Sequence, residues 1–354
     1  VGEVTGWVVR RCVVVFAITV VAVGFMLMTA ADLVVDAVMD GVADMAVQEL
    51  AARVTGTTLD DAAAQAPRGA NNFDCRPPAE HPRPVLLLHG TTGNQRDWDT
   101  LAPRLAQDGY CVFTMNYGKS SASLPGAFGG WYGTAPIDES GTEVGTYVDR
   151  ILNAVGTRQI DVVGYSQGGV VARDYLRFHA GADASDPARN TVHTVVTLGA
   201  PNHGTTVNGL VSVLEHSWIR GAAAALASEA VTDQLVGSAF VAELNAGGDT
   251  DPGIEYTVIA TKYDTVSTPP EATFLQAGTD AVVHNLFVQD ECSTDHVGHD
   301  ALTDDPVVAH LVEHALATRA RDPGSERWGA GRAAPGAHTK SSGDERIFGS
   351  FATS

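Results

Sequence analysis

Basic residues are scarce in this 354-residue chain: 22 Lys and Arg stand against 42 Asp and Glu, for a formal net charge of −20 at pH 7. A field of that sign repels phosphate backbones and anionic lipid head groups, so nucleic acid is not expected as a partner, and the acidity reads as a solubility device. Cysteine is also sparse, with four residues and no CxxC, so cysteine-ligated metal is not expected. No internal repeat is visible. At 44% hydrophobic and 18% charged, the chain is neither disordered nor fibrous, and it suffices for one large globular domain with attachments or two small ones.

Only one long apolar run stands out, residues 12–28, preceded by Arg10 and Arg11 and followed by Thr29, Ala30 and Ala31. Basic start, apolar middle and small residues at the end make the layout of a secretory signal. Residues 1–31 are therefore expected to be a signal peptide, and the protein to be secreted. The run is at the short edge of what crosses a bilayer, so an uncleaved anchor holding the protein to the membrane is the alternative. Outside this segment Cys75, Cys111 and Cys292 remain, and in an oxidising compartment an odd count means one pair and one leftover thiol. Cys75 lies just before one expected strand and Cys111 opens the next, so Cys75–Cys111 is the expected bridge.

Apolar residues at helical spacing follow the signal, and residues 32–66 read as a helical spacer. Residues 319–354, rich in Gly, Ala, Arg and Ser, read as a disordered tail. Between them, residues 67–318 alternate. Short apolar runs at 84–88, 110–116, 160–164, 192–198, 256–260 and 282–288 read as strands, and 97–107, 142–155, 169–178 and 306–317 as helices. Strands apolar on both faces and separated by helices imply an α/β fold with a mostly parallel central sheet and helices on both faces. Residues 202–253 break the rhythm after a strand end with Ala, Val, Leu and Gly, as a helical, lid-like insertion would.

Gly164-Tyr165-Ser166-Gln167-Gly168 lies between an expected strand and an expected helix. The pentapeptide alone is weak, but at a strand-turn-helix junction its glycines have a purpose. They let strand and helix close up around a nucleophile on a strained turn, with free helix N–H groups aimed at the reacting carbonyl.

With Pro84-Val-Leu-Leu-Leu-His-Gly-Thr-Thr-Gly93, Leu198-Gly-Ala-Pro-Asn-His-Gly204, Thr261-Lys-Tyr-Asp264 and Asp295-His-Val-Gly298, the chain resembles the α/β-hydrolase superfamily. Within it, the chain is similar to the secreted bacterial class 2 triacylglycerol lipases and esterases. The Gly-Thr-Thr-Gly and Ser-Gln-Gly-Gly segments are also similar to those of yeast-type lipase B enzymes. The segments run in the family's order from about residue 75 to 318.

The resemblance implies Ser166 as nucleophile, Asp264 as orienting acid and His296 as base, in the superfamily order Ser, acid, His. Asp251 and Asp280 are alternatives for the acid, though neither follows a strand end in the required way. His299, three residues beyond His296, is the rival base. His310 and His314 read as solvated helix residues, and His89 and His203 as structural. Thr91 and Gln167 are the implied oxyanion-hole residues through their backbone N–H groups, with the Thr91 hydroxyl as a further donor.

Tyr117, in Asn116-Tyr117-Gly118, is expected to line the acyl side of the pocket. Leu210 and Leu214 of the insertion are expected either to do the same or simply to pack in the core. The implied activity is lipase-type hydrolysis of carboxylic esters, acylglycerols in particular, by a monomer in contact with a lipid interface and without metal or organic cofactor. Its alternatives are a short-chain carboxylesterase, polyesterase or acyltransferase on the same triad, and a catalytically silent binding protein of the same fold.

Overall fold

The computed structural model describes residues 64–121, 130–207 and 228–317. The expected signal peptide, most of the spacer, the tail, Leu210 and Leu214 lie outside the described residues. Among the described residues no helix is long and apolar enough to cross a membrane.

Six strands form one parallel sheet: β1 (Val85–Leu88), β2 (Val112–Thr114), β3 (Ile160–Tyr165), β4 (Val192–Leu198), β5 (Glu255–Ala260) and β6 (Val282–Phe287). Their order is β2-β1-β3-β4-β5-β6. All neighbouring pairs are parallel. The chain thus lays β2 on one side of β1 and β3 on the other. In an open parallel sheet the crevice beyond the carboxyl ends of two such strands is where ligands bind.

Alternation of side chains along the strands divides the core between the two faces. Leu86, Leu88, Phe113, Val162 and Val195 pack on one face under α2 (Ile137–Val155) and α3 (Gln167–Phe178). Val85, Leu87, Val163, Val196 and Ile259 pack on the other under α1 (Leu101–Gln107) and α7 (Pro306–Ala317). The insertion contributes α4 (Glu229–Asp233) and α5 (Ala239–Leu244), and α6 (Val288–Glu291) follows β6. This is the α/β-hydrolase architecture.

Cys75 and Cys111 form the expected disulfide, and Cys292 is free. The bridge ties the segment before β1 to the start of β2 across 36 residues. Closing a loop of that length stabilises a fold by about 4 kcal/mol on chain-entropy grounds.

Element ends differ from the sequence reading for local reasons. The expected helix at 97–107 is two pieces, a 3₁₀ turn at Gln95–Trp98 and then α1. Asn94 caps the first, accepting from the Arg96 N–H, and Pro103 is tolerated only in the first turn of the second. Helix α2 starts at Ile137, five residues before the expected start, with Asp138 and Glu139 in its first turn. Gly141 lies inside it because a Cβ there would stand 1.9 Å from Asp174 Oδ2 of α3, so the glycine permits the two helices to approach.

The described residues of the insertion are anchored by α3. Buried Arg173 donates to the Asn202 carbonyl at 3.0 Å, to Asn245 Oδ1 at 2.8 Å and to the Asp249 carbonyl at 2.8 Å. Burial lowers its pKa to about 10, which leaves it charged and satisfied by acceptors at neutral pH.

Candidate active site

Ser166 and Asp264 enter the site from the carboxyl ends of β3 and β5, and His299 from the loop after α6. Ser166 follows β3 and precedes the first residue of α3, with φ 51° and ψ −122°. Few residues with a Cβ adopt this conformation. The turn is held from both sides: the Ser166 N–H donates to the Leu198 carbonyl at 2.8 Å, and the Gly169 N–H to the Ser166 carbonyl at 3.1 Å. A Cβ on Gly164 would lie 2.4 Å from Gly169 N, and one on Gly168 2.2 Å from the Leu88 carbonyl oxygen. The two glycines therefore let α3 start hard against β1 and β3, and this closeness projects Ser166 outward.

Asp264 comes from the turn after β5. Its Oδ1 accepts from the Val266 and Ser267 N–H groups at 2.8 and 2.7 Å, which fixes the carboxylate and leaves Oδ2 turned into the site. Oδ2 lies 2.8 Å from His299 Nδ1, and His299 Nε2 lies 3.0 Å from Ser166 Oγ. With Asp264 ionised, Nδ1 carries the proton and Nε2 is the acceptor for the serine hydroxyl, a tautomer assigned from these partners. All three side chains are buried, with Ser166 7% exposed, Asp264 6% and His299 5%. Gly199 leaves room for the pair, because a Cβ there would be 3.2 Å from both Asp264 Oδ2 and His299 Nδ1.

The histidine between Asp264 and Ser166 is thus His299, not His296. His296 is exposed, its Nδ1 2.8 Å from the Thr294 carbonyl and its ring 4.8 Å from that of Tyr263. The loop around it explains the difference. Asp295 Oδ1 accepts from the Val297 N–H at 2.7 Å, and Thr261 Oγ1 donates to the Val297 carbonyl at 2.7 Å. These bonds bury Val297 against the end of β5, turn its neighbour His296 to solvent, and bring His299 inward at the start of a 3₁₀ turn, His299–Ala301. The Asp-His pair of the sequence is an Asx turn.

Asp251 and Asp280 lie elsewhere. Asp251 pairs with Arg177 at 3.4 Å and accepts from the Tyr256 hydroxyl, while the Asp280 carbonyl accepts from the Gly253 N–H.

Thr91 and Gln167, the two residues implied for the oxyanion, are in direct contact. Thr91 follows β1, and its hydroxyl donates to Gln167 Oε1 at 2.6 Å. Gln167, as first residue of α3, has a backbone N–H without an intrahelical partner. The Gln167 N–H, next to the serine and at a helix N-terminus, suits a developing oxyanion.

Tyr117 is placed differently from the lining role expected of it. It is fully buried, its ring stacked on His89 at 4.2 Å, and its hydroxyl donates to the His89 carbonyl at 2.5 Å. It braces the loop that carries Thr91. His89 belongs to the same brace, with Nδ1 donating to the Gly90 carbonyl at 2.8 Å. Burial, opposed in part by that carbonyl, lowers its pKa to about 4, so it is neutral at neutral pH.

Two contributors were invisible in the sequence. Gly133 packs behind the oxyanion loop, where a Cβ would be 2.9 Å from the Gly90 carbonyl oxygen. Gln234, from the insertion, donates to Gln167 Oε1 at 3.0 Å. Neither sits in a motif, and only the folded chain brings them to β1 and α3. Among the described residues, no group of three or more His, Cys, Asp or Glu is placed to hold a metal ion.

Residues 82–312 match the family described as Lipase (class 2). Aspergillus fumigatus lipase B shares the fold at 17% identity and TM-score 0.54, over 73% of this chain and 57% of that one. The chain therefore spans little more than half the length of that enzyme. Bacillus licheniformis lipase BlEst2 in its mature form aligns at 19% identity and TM-score 0.37, over 56% of this chain and 69% of that one. The family match extends over well more than half of the chain and covers Ser166, Asp264 and His299: the protein belongs to the class 2 lipase family of the α/β-hydrolase superfamily.

Proposed function

We propose that the protein is a serine hydrolase that cleaves carboxylic esters, acylglycerols among them, by two-step acyl transfer. The observation that carries the reading is the continuous chain of contacts from Asp264 Oδ2 through His299 to Ser166 Oγ, at 2.8 and 3.0 Å. A serine hydroxyl is a weak nucleophile at neutral pH and needs a base within this distance, itself oriented by an acid. His299 Nε2 takes the hydroxyl proton as Oγ attacks the ester carbonyl carbon. The Thr91 and Gln167 N–H groups receive the charge on the carbonyl oxygen, and the proton passes from Nε2 to the departing alcohol. Water then enters, gives a proton to Nε2 and attacks the acyl-enzyme. The proton returns to Ser166 as the acid leaves.

Asp264 accepts from His299 Nδ1 and stabilises the imidazolium, with its other oxygen held by two backbone N–H groups. No metal or organic cofactor has a part in this scheme. The Cys75–Cys111 bridge supports a working place outside the reducing cytoplasm.

The test is hydrolysis of p-nitrophenyl esters from short to long acyl chains by the protein and by its Ser166→Ala variant. Long-chain hydrolysis that falls by about 10⁴-fold or more in the variant is the expected result. Turnover of short chains alone would make the protein a carboxylesterase on the same triad. Equal rates in both proteins would overturn the assignment.

A further inference from the structure

Gln234 stands at the C-terminal end of α4 and is buried. Its Nε2 lies 2.9 Å from the Ala230 carbonyl oxygen, 3.0 Å from Gln167 Oε1 and 3.2 Å from Thr91 Oγ1. A backbone carbonyl only accepts, so the Gln234 atom facing Ala230 must be the amide nitrogen, and this fixes the orientation of the side chain. Gln167 must then present its carbonyl oxygen, because its nitrogen would meet Gln234 donor to donor. The Thr91 hydroxyl, 2.6 Å from the same oxygen, gives its proton to it. Gln167 Oε1 consequently receives two donors, one from the insertion and one from the oxyanion loop.

We infer that Gln234 is a positioning residue for the oxyanion, acting through the Thr91 hydroxyl. The inference rests on the acyl-transfer reading above. In the resting site the Thr91 proton is committed to Gln167 Oε1. It is useful to a tetrahedral intermediate only if the hydroxyl can rotate away and donate to the new oxyanion. Rotation strips a donor from a buried amide oxygen, which is unfavourable unless another donor stays behind. The Gln234 amide is that donor, pinned by Ala230. It keeps Gln167 Oε1 satisfied while Thr91 turns, so the insertion takes part in stabilising charge at the site. A buried glutamine serving only to fasten the insertion would leave the Thr91 hydroxyl, and therefore turnover, unaffected.

The experiment uses the full-length protein, p-nitrophenyl butyrate as substrate and phenylboronic acid as a tetrahedral analogue. Wild type is compared with Gln234→Met, Gln234→Ala, Thr91→Val, the Gln234→Met/Thr91→Val double variant and Ser166→Ala. Gln234→Met is expected to lower kcat about 10- to 100-fold with KM changed less than about twofold, and to weaken boronic acid inhibition by the same factor. In the Thr91→Val background the Gln234 substitution should cost less than about twofold more, because the hydroxyl it serves is gone.

Wild-type kcat in both Gln234 variants, or an undiminished effect of Gln234→Met in the Thr91→Val background, would overturn the inference and leave the acyl-transfer reading standing. Activity that survives Ser166→Ala would overturn both. Should the Gln234 variants not fold, Thr91→Val decides alone: a loss of about tenfold or more in kcat at constant KM supports the inference, and wild-type kcat overturns it.

Discussion

Ser166 is held at φ 51° and ψ −122° by the Leu198 carbonyl and the first turn of α3, a conformation that favours glycine. Replacing the serine by glycine relieves the strain, whereas alanine keeps the Cβ and the strain with it. Ser166→Gly is therefore expected to be more stable than Ser166→Ala by about 1 kcal/mol in urea unfolding, with both inactive. Equal stability would mean that the turn carries no such strain. The nucleophile was legible because it has local company: glycines at fixed offsets, a strand before it and a helix after it. Asp264 was legible because it follows a strand end. The base was not, since two histidines stand three residues apart in Asp295-His296-Val297-Gly298-His299. The choice between them is made by Thr261, which lies far away in the sequence and draws Val297 inward. Tyr117 was misjudged for the same kind of reason, because its partner His89 comes from a different strand end.

Contact between elements sets the position of the Gln167 N–H. Helix α3 begins with Gly168 over the end of β1, and a Cβ there would meet the Leu88 carbonyl oxygen at 2.2 Å and the His89 carbonyl oxygen at 2.7 Å. Both are backbone atoms, at the last residue of β1 and the one after it, and cannot move aside cheaply. Gly168→Ala is expected to destabilise the protein by about 3 kcal/mol, and to lower kcat more than it raises KM as the helix start shifts. Chemical denaturation together with ester kinetics checks both parts, and an unperturbed variant would contradict the close packing described. Strand positions were legible because runs apolar on both faces admit few other readings. Helix starts were not, because Gly141 looks like a helix breaker until Asp174 of α3 is seen opposite it. The insertion reads as apolar and helical, yet α4 and α5 are short, and besides Leu244 in the core they are fastened by polar groups: Arg173, Asn245 and Gln234.

Across the whole sequence acidic residues outnumber basic ones, and among the described residues cations that lie between carbonyls and carboxylates serve as structural ties. His203 is one. Its Nε2 lies 3.1 Å from Asp249 Oδ1 and its Nδ1 2.9 Å from the Ala272 carbonyl, so only the imidazolium donates to both. The bond to Asp249 raises the His203 pKa, against burial and with help from the Ala272 carbonyl. For Asp249, burial opposes ionisation, but hydrogen bonds from His203 and the Gln276 N–H outweigh it and hold the carboxyl below its ordinary range. The histidine's contribution is complete below its ordinary value and lost as pH rises through the raised one. The aspartate's is present above its ordinary value and lost as pH falls through the lowered one. The tie is therefore strongest from about pH 4 to about 6.5. His203→Gln is expected to lower Tm more at about pH 5 than at about pH 9. A pH-independent difference would contradict the tie.

The central claim is that His299, oriented by Asp264, is the base for Ser166. The most direct measurement is kcat/KM on p-nitrophenyl butyrate for His299→Ala and His296→Ala side by side. The account expects a loss of about 10⁴-fold for His299→Ala, with His296→Ala remaining within about threefold of wild type. A near-normal His299→Ala enzyme, or a His296→Ala enzyme as impaired as His299→Ala is expected to be, would contradict it.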